Sequence, residues 1–322
     1  MNRAFFMKSM NDGRLLLLAC AAGLFTIGWI RVLIVASMEA GRFQKIVRNL
    51  PDIVKRLSPV PIEDLVNYPG LIGFTFEEPI VYLLLTVWCV SRGSDIVSGE
   101  ISRGTMEVIL SQPISRLRYL LIHHLVSLIG LAILAAAVLG GTHVGIETAT
   151  VEVSSRPTWH VPIFGFNVPL ANSNGEPTVV PMTDFVATKM YIASTLNFFC
   201  LGVFLTGLSA ALSSFDRFRW RTIGLVVGIY VVETVIELTG MAVQSCWWML
   251  NFTFFAVYEP VSFATEYAKN PETAWKFFAD ESLGYLPDFG PLGCDFALLA
   301  MGTSAAGIGA IVFIKRDLPA PL

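Results

Sequence analysis

Glu233 and Glu237 stand four residues apart in an apolar stretch, "YVVETVIELTG". On a helix that spacing puts both carboxyls on one face, together with Tyr230 and Gln244. An ionisable group at membrane depth is costly and marks a functional site by default. Two readings follow. The face is the polar lining of a path at a dimer interface, or it is a structural cluster partnered by Arg31, which also interrupts an apolar run. Neither identifies a cargo.

A second chemistry-bearing segment covers residues 95–120, "DIVSGEISRGTMEVILSQPISRLRYL". Gly104 breaks a preceding helix that is expected to run to about Gly99. Thr105 caps a short helix over 106–110, and Glu107 sits in its first turn, where a negative charge is favourable. Pro113 ends it, and Ser115 caps the next apolar run, whose start carries Arg116 and Arg118. The short helix shows Met106, Ile109 and Leu110 among charges, a surface that a soluble partner could grip. The other reading is a solvated turn.

The remaining candidates carry less. His123 and His124 point about 100° apart on a helix and are poor joint metal ligands; they read as membrane-interface residues. The five cysteines show no metal spacing. Cys20, Cys89 and Cys200 lie in apolar runs, where the thiol is a small buried hydrophobe. Cys246 and Cys294 are expected near each other at the outer ends of two spans, and a disulfide there needs Cα atoms within about 7 Å. No HExxH, GxSxG or catalytic Asp pair is present, and no GxxxxGK[ST] phosphate loop. The chain therefore reads as non-catalytic, with no cofactor or metal of its own.

The elements that position these residues are membrane spans. The chain has 322 residues, 54% hydrophobic and 15% charged, with a mean hydropathy of +0.63. Soluble domains carry roughly 25% charge. A net charge of −3 with no long Lys/Arg run gives no footprint for nucleic acid. A span needs about 20 apolar residues. Six runs qualify: about 15–38, 79–97, 120–141, 185–212, 222–244 and 292–314. The fold class is an all-α polytopic membrane protein, one membrane domain over 1–322. The first run has no cleavage site and reads as a retained anchor.

Basic residues set the orientation. With the N-terminus inside, twelve fall in inner segments and eight in much longer outer loops. Both termini are therefore expected in the cytoplasm. The first outer loop, residues 43–57, repeats apolar residues at helical spacing and reads either as a helix in the headgroup plane or as a packed helix pair broken at Pro51. Residues 146–184 show strand alternation ("TATVEVS") and a turn at "NSNGEP". Trp247 and Trp248 suit a membrane interface, and short helices are expected after Pro260 and Pro271. In the sixth span Gly302/Ala306 and Ala305/Gly309 recur at four-residue steps, a close-packing pattern.

"GEISRGTMEVILSQPISRLRYLLIHHL" resembles the signature between the second and third spans of type-2 ABC transporter permeases. The matching residues are Gly99, Glu100, Gly104, Thr105, Glu107, Leu110, Ser111, Pro113, Ile114, Ser115 and Arg116. "FIKRDLPAPL" is similar to that family's short basic tail. The resemblance implies a cytoplasmic coupling helix, "GTMEVILS", that docks on a separate ABC ATPase subunit carrying the ATP and Mg. Glu100, Gly104, Thr105, Met106, Glu107, Ile109, Leu110, Pro113 and Arg116 are the coupling candidates. Tyr230, Glu233, Glu237 and Arg31 are the substrate-path candidates. It implies two permease copies with two ATPases, as an exporter in the cytoplasmic (inner) membrane. The alternative is a non-transporting anchor that passes ATPase-driven motion to an extracytoplasmic partner.

Overall fold

Apolar runs of this length become helices because lipid offers the backbone no hydrogen-bond partners. The computed structural model describes residues 3–38, 67–153, 158–161, 166–169, 178–279 and 289–316. Among these, six helical segments are long and apolar enough to cross a membrane. They are α1 (Arg3–Ser37); a run formed by α2 (Tyr68–Gly73), a 3₁₀ turn and α3 (Pro79–Ser94); and, after the short α4 (Met106–Leu110), α5 (Arg116–Thr148). Then come α6 (Ile192–Phe215) and α7 (Arg219–Ala242); a short α8 (Pro260–Lys269) precedes the last span, α9 (Pro291–Lys315). Pro79, Pro260 and Pro291 each open a helix, where a missing N–H costs nothing and φ is preset.

Each of the six expected runs falls in one of these segments, and most of the segments are longer than their apolar stretches. The first helix starts at Arg3 instead of near residue 15. Its polar first turns stay helical because Phe5, Ser9 and Gly13 pack inward. Arg92 donates to Ser9 Oγ at 2.7 Å and lies over the Trp88 ring. The second span does not stop at Gly99: a π-helical turn, Asp95–Gly99, leads into one more helical turn, Glu100–Ser102.

Beyond α5, β1 (Thr150–Val153), β2 (Thr158–Val161), β3 (Phe166–Pro169) and β4 (Thr178–Pro181) form two antiparallel ribbons. β1 pairs with β4 and β2 with β3, with Val151 opposite Val180 and Trp159 opposite Val168. The "NSNGEP" turn, the 43–57 segment and the last residues of the tail lie outside the described residues.

α6 is the central helix, packed on α3, α5, α8 and α9, while α1 packs along α5. Of the most apolar stretch of each span, 72% is buried in α6 but only 11% in α7. The α6–α9 contact depends on absent side chains. A Cβ on Gly207 would stand 2.1 Å from the Gly302 carbonyl oxygen, and one on Gly309 would stand 2.7 Å from the Ala211 Cα. The small-residue spacing of the sixth span is thus a packing seam. A second apolar cluster closes the end that carries both termini. It joins Phe5, Ile96, Met106, Ile109, Tyr119 and Phe313.

Candidate functional site

The segment from Asp95 to Arg116 is folded against the spans at that end. Gly104 has φ +70, a left-handed conformation that glycine adopts without strain. The turn is held by charge. Glu100 is buried and pairs with Arg103 at 3.0 Å, while Arg103 also meets Asp95 at 2.6 Å. The hydrogen bond that Arg103 donates to Asp95, reinforced by both carboxylates' charges, raises the Arg103 pKa above its ordinary value. Arg219, at the start of α7, approaches the same Asp95 at 3.4 Å.

Thr105 holds the N-cap position of α4 without capping it. Its backbone is already helical, φ −87 and ψ −16, whereas a capping side chain needs an extended backbone to reach the first amides. The hydroxyl instead donates to the Glu100 carbonyl oxygen at 3.2 Å and to the Glu100 carboxylate. Ser115 does cap, accepting from the Arg118 amide at 3.3 Å.

α4 occupies residues 106–110 as its Gly and Pro boundaries require, but its apolar side faces inward. Met106 and Ile109 are buried in the terminal cluster, and Leu110 packs at its edge. They are therefore not an open grip for a partner. A five-residue helix buries its apolar side on the nearest apolar surface, here its own chain. The exposed side carries Glu107, Val108, Ser111, Gln112 and Pro113.

Arg116 also points into the fold. Its Nη1 donates to the carbonyls of Phe313 at 2.9 Å, Ile314 at 3.1 Å and Arg316 at 2.7 Å. Arg316 in turn donates to Ser214 and Asp216 carbonyls at 2.8 and 3.1 Å. The open carbonyls of α9 and α6 are thus closed by arginines, as helix C-termini favour. His123 is buried against Phe5 and Tyr119, with ring centroids at 5.3 and 4.8 Å, and is not an interface residue.

At the far end, α7 presents its polar face to a cavity of about 320 Å³. Tyr230 and Glu237 line it, together with Glu77, Tyr82, Tyr258 and Glu259 from the other walls. Glu233 is half-buried beside this cavity, and its Oε2 is shielded with no hydrogen-bond partner. Gln244 lies past the end of α7 in a 3₁₀ turn and leaves the shared face. Arg31 does not join the two acids. It pairs with Glu78 at 2.6 Å, donates to the Leu71 carbonyl at 3.2 Å and lies over the Phe74 ring. Glu78 precedes α3 directly, at the point where α1 passes, and satisfies the arginine there.

Cys246 and Cys294 are free thiols, Cys294 buried and Cys246 half-buried, and no disulfide joins them. No three or more His, Cys, Asp or Glu side chains converge to hold a metal ion among the described residues.

A family model described as "ABC-2 family transporter protein" matches residues 8–246. The chain belongs to that family. It is the membrane component of an ABC transporter, and membership implies partnership with an ABC ATPase subunit. No curated protein matches the chain. The matched region of the permease includes both the 95–116 segment and the polar face of α7.

Several polar residues of this permease escape a reading by motif. Glu77 sits beside Glu78 in "FEEP", at the margin of a span rather than within it. Asn197 lies in the middle of an apolar run and ties three elements together. Its amide donates to Asp295 of α9 at 2.8 Å and to the Val257 carbonyl at 3.1 Å, and its oxygen accepts from the Glu259 amide at 3.2 Å. The available signal was a lone polar side chain at membrane depth, which needs a partner. Glu259 is also buried. Burial raises its pKa to about 8, against the Ser262 hydroxyl that donates to it at 2.8 Å, and the charge of Glu237 adds to the rise.

Proposed function

We propose that this chain is the permease subunit of an ABC exporter, with both termini in the cytoplasm of a cell whose inner membrane it spans. A separate ATPase subunit binds the ATP and Mg, and a second permease copy completes the transporter. The segment from Glu100 to Arg116 is the coupling element. The observation that carries this reading is the way the segment is fastened. Glu100, Arg103 and Asp95 tie its start to the second span, and Arg116 ties its end to the last turn of the sixth. A push on α4 therefore reaches two spans at once.

Within this reading the residues divide by role. Glu107 and Pro113, on the exposed side, meet the ATPase. Met106, Ile109 and Leu110 seat the helix on the spans. Glu100, Gly104, Thr105 and Arg116 shape and anchor the loop. Tyr230, Glu233 and Glu237 belong to the substrate path, while Arg31 braces the first span against the second.

The test is Glu107→Arg. The reversed charge on an exposed helix face should detach the ATPase or uncouple its ATP hydrolysis, while the permease still inserts and purifies. Unchanged co-purification together with unchanged transport-linked hydrolysis would defeat the proposal.

A further inference from the structure

The far-end cavity has an unusual charge balance. Three carboxyls, Glu77, Glu237 and Glu259, line it, and among the described residues no Lys, Arg or His does. The nearby Arg31 is committed to Glu78. Glu77 Oε2 is shielded from solvent with no hydrogen-bond partner, and Glu259 is 6% exposed. Burying carboxylates without a counter-charge is costly. Protons or a cation must offset them.

The rest of the wall is aromatic. Tyr82 and Tyr258 have ring centroids 5.3 Å apart, and Tyr230 stands 5.8 Å from Phe255. The Tyr258 hydroxyl donates to the Phe76 carbonyl at 2.8 Å, which fixes that ring. Faces of this kind attract cations that shed water easily, quaternary ammonium above all. A small metal ion fits poorly, because these carboxyls do not converge as a ligand set. The volume, about 320 Å³, falls in the range of small-ligand pockets, roughly 300–1,000 Å³.

We infer that this cavity binds an organic ammonium ion, with Glu77, Glu237 and Glu259 supplying charge and Tyr82, Tyr230 and Tyr258 supplying aromatic faces. As a statement about cargo, the inference rests on the reading of the α7 polar face as part of the substrate path. As a statement about binding, it is measured on the permease alone.

The experiment is equilibrium dialysis of detergent-purified permease with labelled choline as the probe. Binding should saturate and be displaced by tetramethylammonium. The neutral isostere 3,3-dimethylbutan-1-ol and equal concentrations of sodium or calcium chloride should not displace it. Glu237→Gln should weaken binding roughly tenfold or more, and Tyr230→Leu should do the same by removing an aromatic face. Glu147→Gln, an exposed carboxyl away from the cavity, should bind like the parent. If Glu237→Gln does not fold, Tyr230→Leu carries the test. Absence of saturable binding, equal competition by the isostere, or equal competition by the inorganic cations would overturn the inference. That failure leaves the ATPase-coupling proposal standing, because Glu107→Arg is scored by co-purification and hydrolysis without choline.

Discussion

Arg116 and Phe313 are joined twice, across 197 positions of sequence. The guanidinium donates to the Phe313 carbonyl at 2.9 Å and lies 5.7 Å from its ring centre. One residue opens the third span and the other is near the end of the sixth. The bond makes the exit of the 95–116 segment and the end of α9 a single mechanical piece.

Arg116→Met should therefore loosen that piece. A hydrogen bond to a charged group contributes about 1.5–3 kcal/mol. The thermal midpoint of the solubilised permease should fall by several degrees, and proteolysis after Lys315 should speed up. Arg116→Lys should recover much of the loss, because all three bonds leave one nitrogen and an ammonium also offers three donors there. A midpoint and cleavage rate equal to those of the parent would show that the carbonyls are satisfied without Arg116.

Much of this architecture was legible in advance, and the reason differs by residue. The six spans follow from apolar runs, since lipid leaves helices as the solution available to them. α4 was bounded by Gly104 and Pro113, whose backbone limits are local. Which way Met106 and Ile109 face was not legible, because an apolar side fits its own chain or a partner equally well until the neighbouring spans are in place. The Arg31–Glu78 pair was missed for a related reason. Glu78 lies outside the apolar run, and its approach to α1 is set by tertiary packing. The start of α1 lay outside the apolar run that begins near residue 15, although Gly13 is where Arg92 and Trp88 come close. Asn197 left only a lone amide as a signal, and its three partners come from distant sequence.

Gly302 and Gly307 share one helix and should respond in opposite ways. A Cβ on Gly302 would stand 2.8 Å from the Phe204 Cα, backbone that cannot yield cheaply. One on Gly307 meets nothing within 4 Å. Gly302→Ala should then cost about 2 kcal/mol by overpacking the α6–α9 seam. Gly307→Ala should be neutral or stabilise by up to about 1 kcal/mol, the helix preference of alanine over glycine. Unfolding of the two variants in detergent with a graded denaturant checks both signs. Equal effects would mean that the seam is looser than the geometry requires.

Glu259 predicts how stability depends on pH. Its folded-state pKa is pushed to about 8 from an ordinary value of 4.5, with burial as the main cause. The folded permease therefore holds a proton that the unfolded chain has released across that window. Stability tied to this group is fully present below about pH 4.5, declines as pH rises, and is gone once pH passes about 8. Around it stand Ser262 on its own helix, Glu77 and Glu237 across the cavity, the Asn197 amide and the Cys294 thiol, none of them a cation. Ionisation thus meets no opposing positive charge among the described residues. The thermal midpoint should fall between pH 6 and pH 8.5 and flatten beyond it. Glu259→Gln keeps a neutral side chain of the same shape at every pH, so it should make the curve shallower across that interval. Saturating choline, if it occupies the cavity, should oppose the fall by supplying the missing charge. A parent and a Glu259→Gln variant with superimposable pH profiles would show that the carboxyl is neutralised in the folded state by something other than its proton.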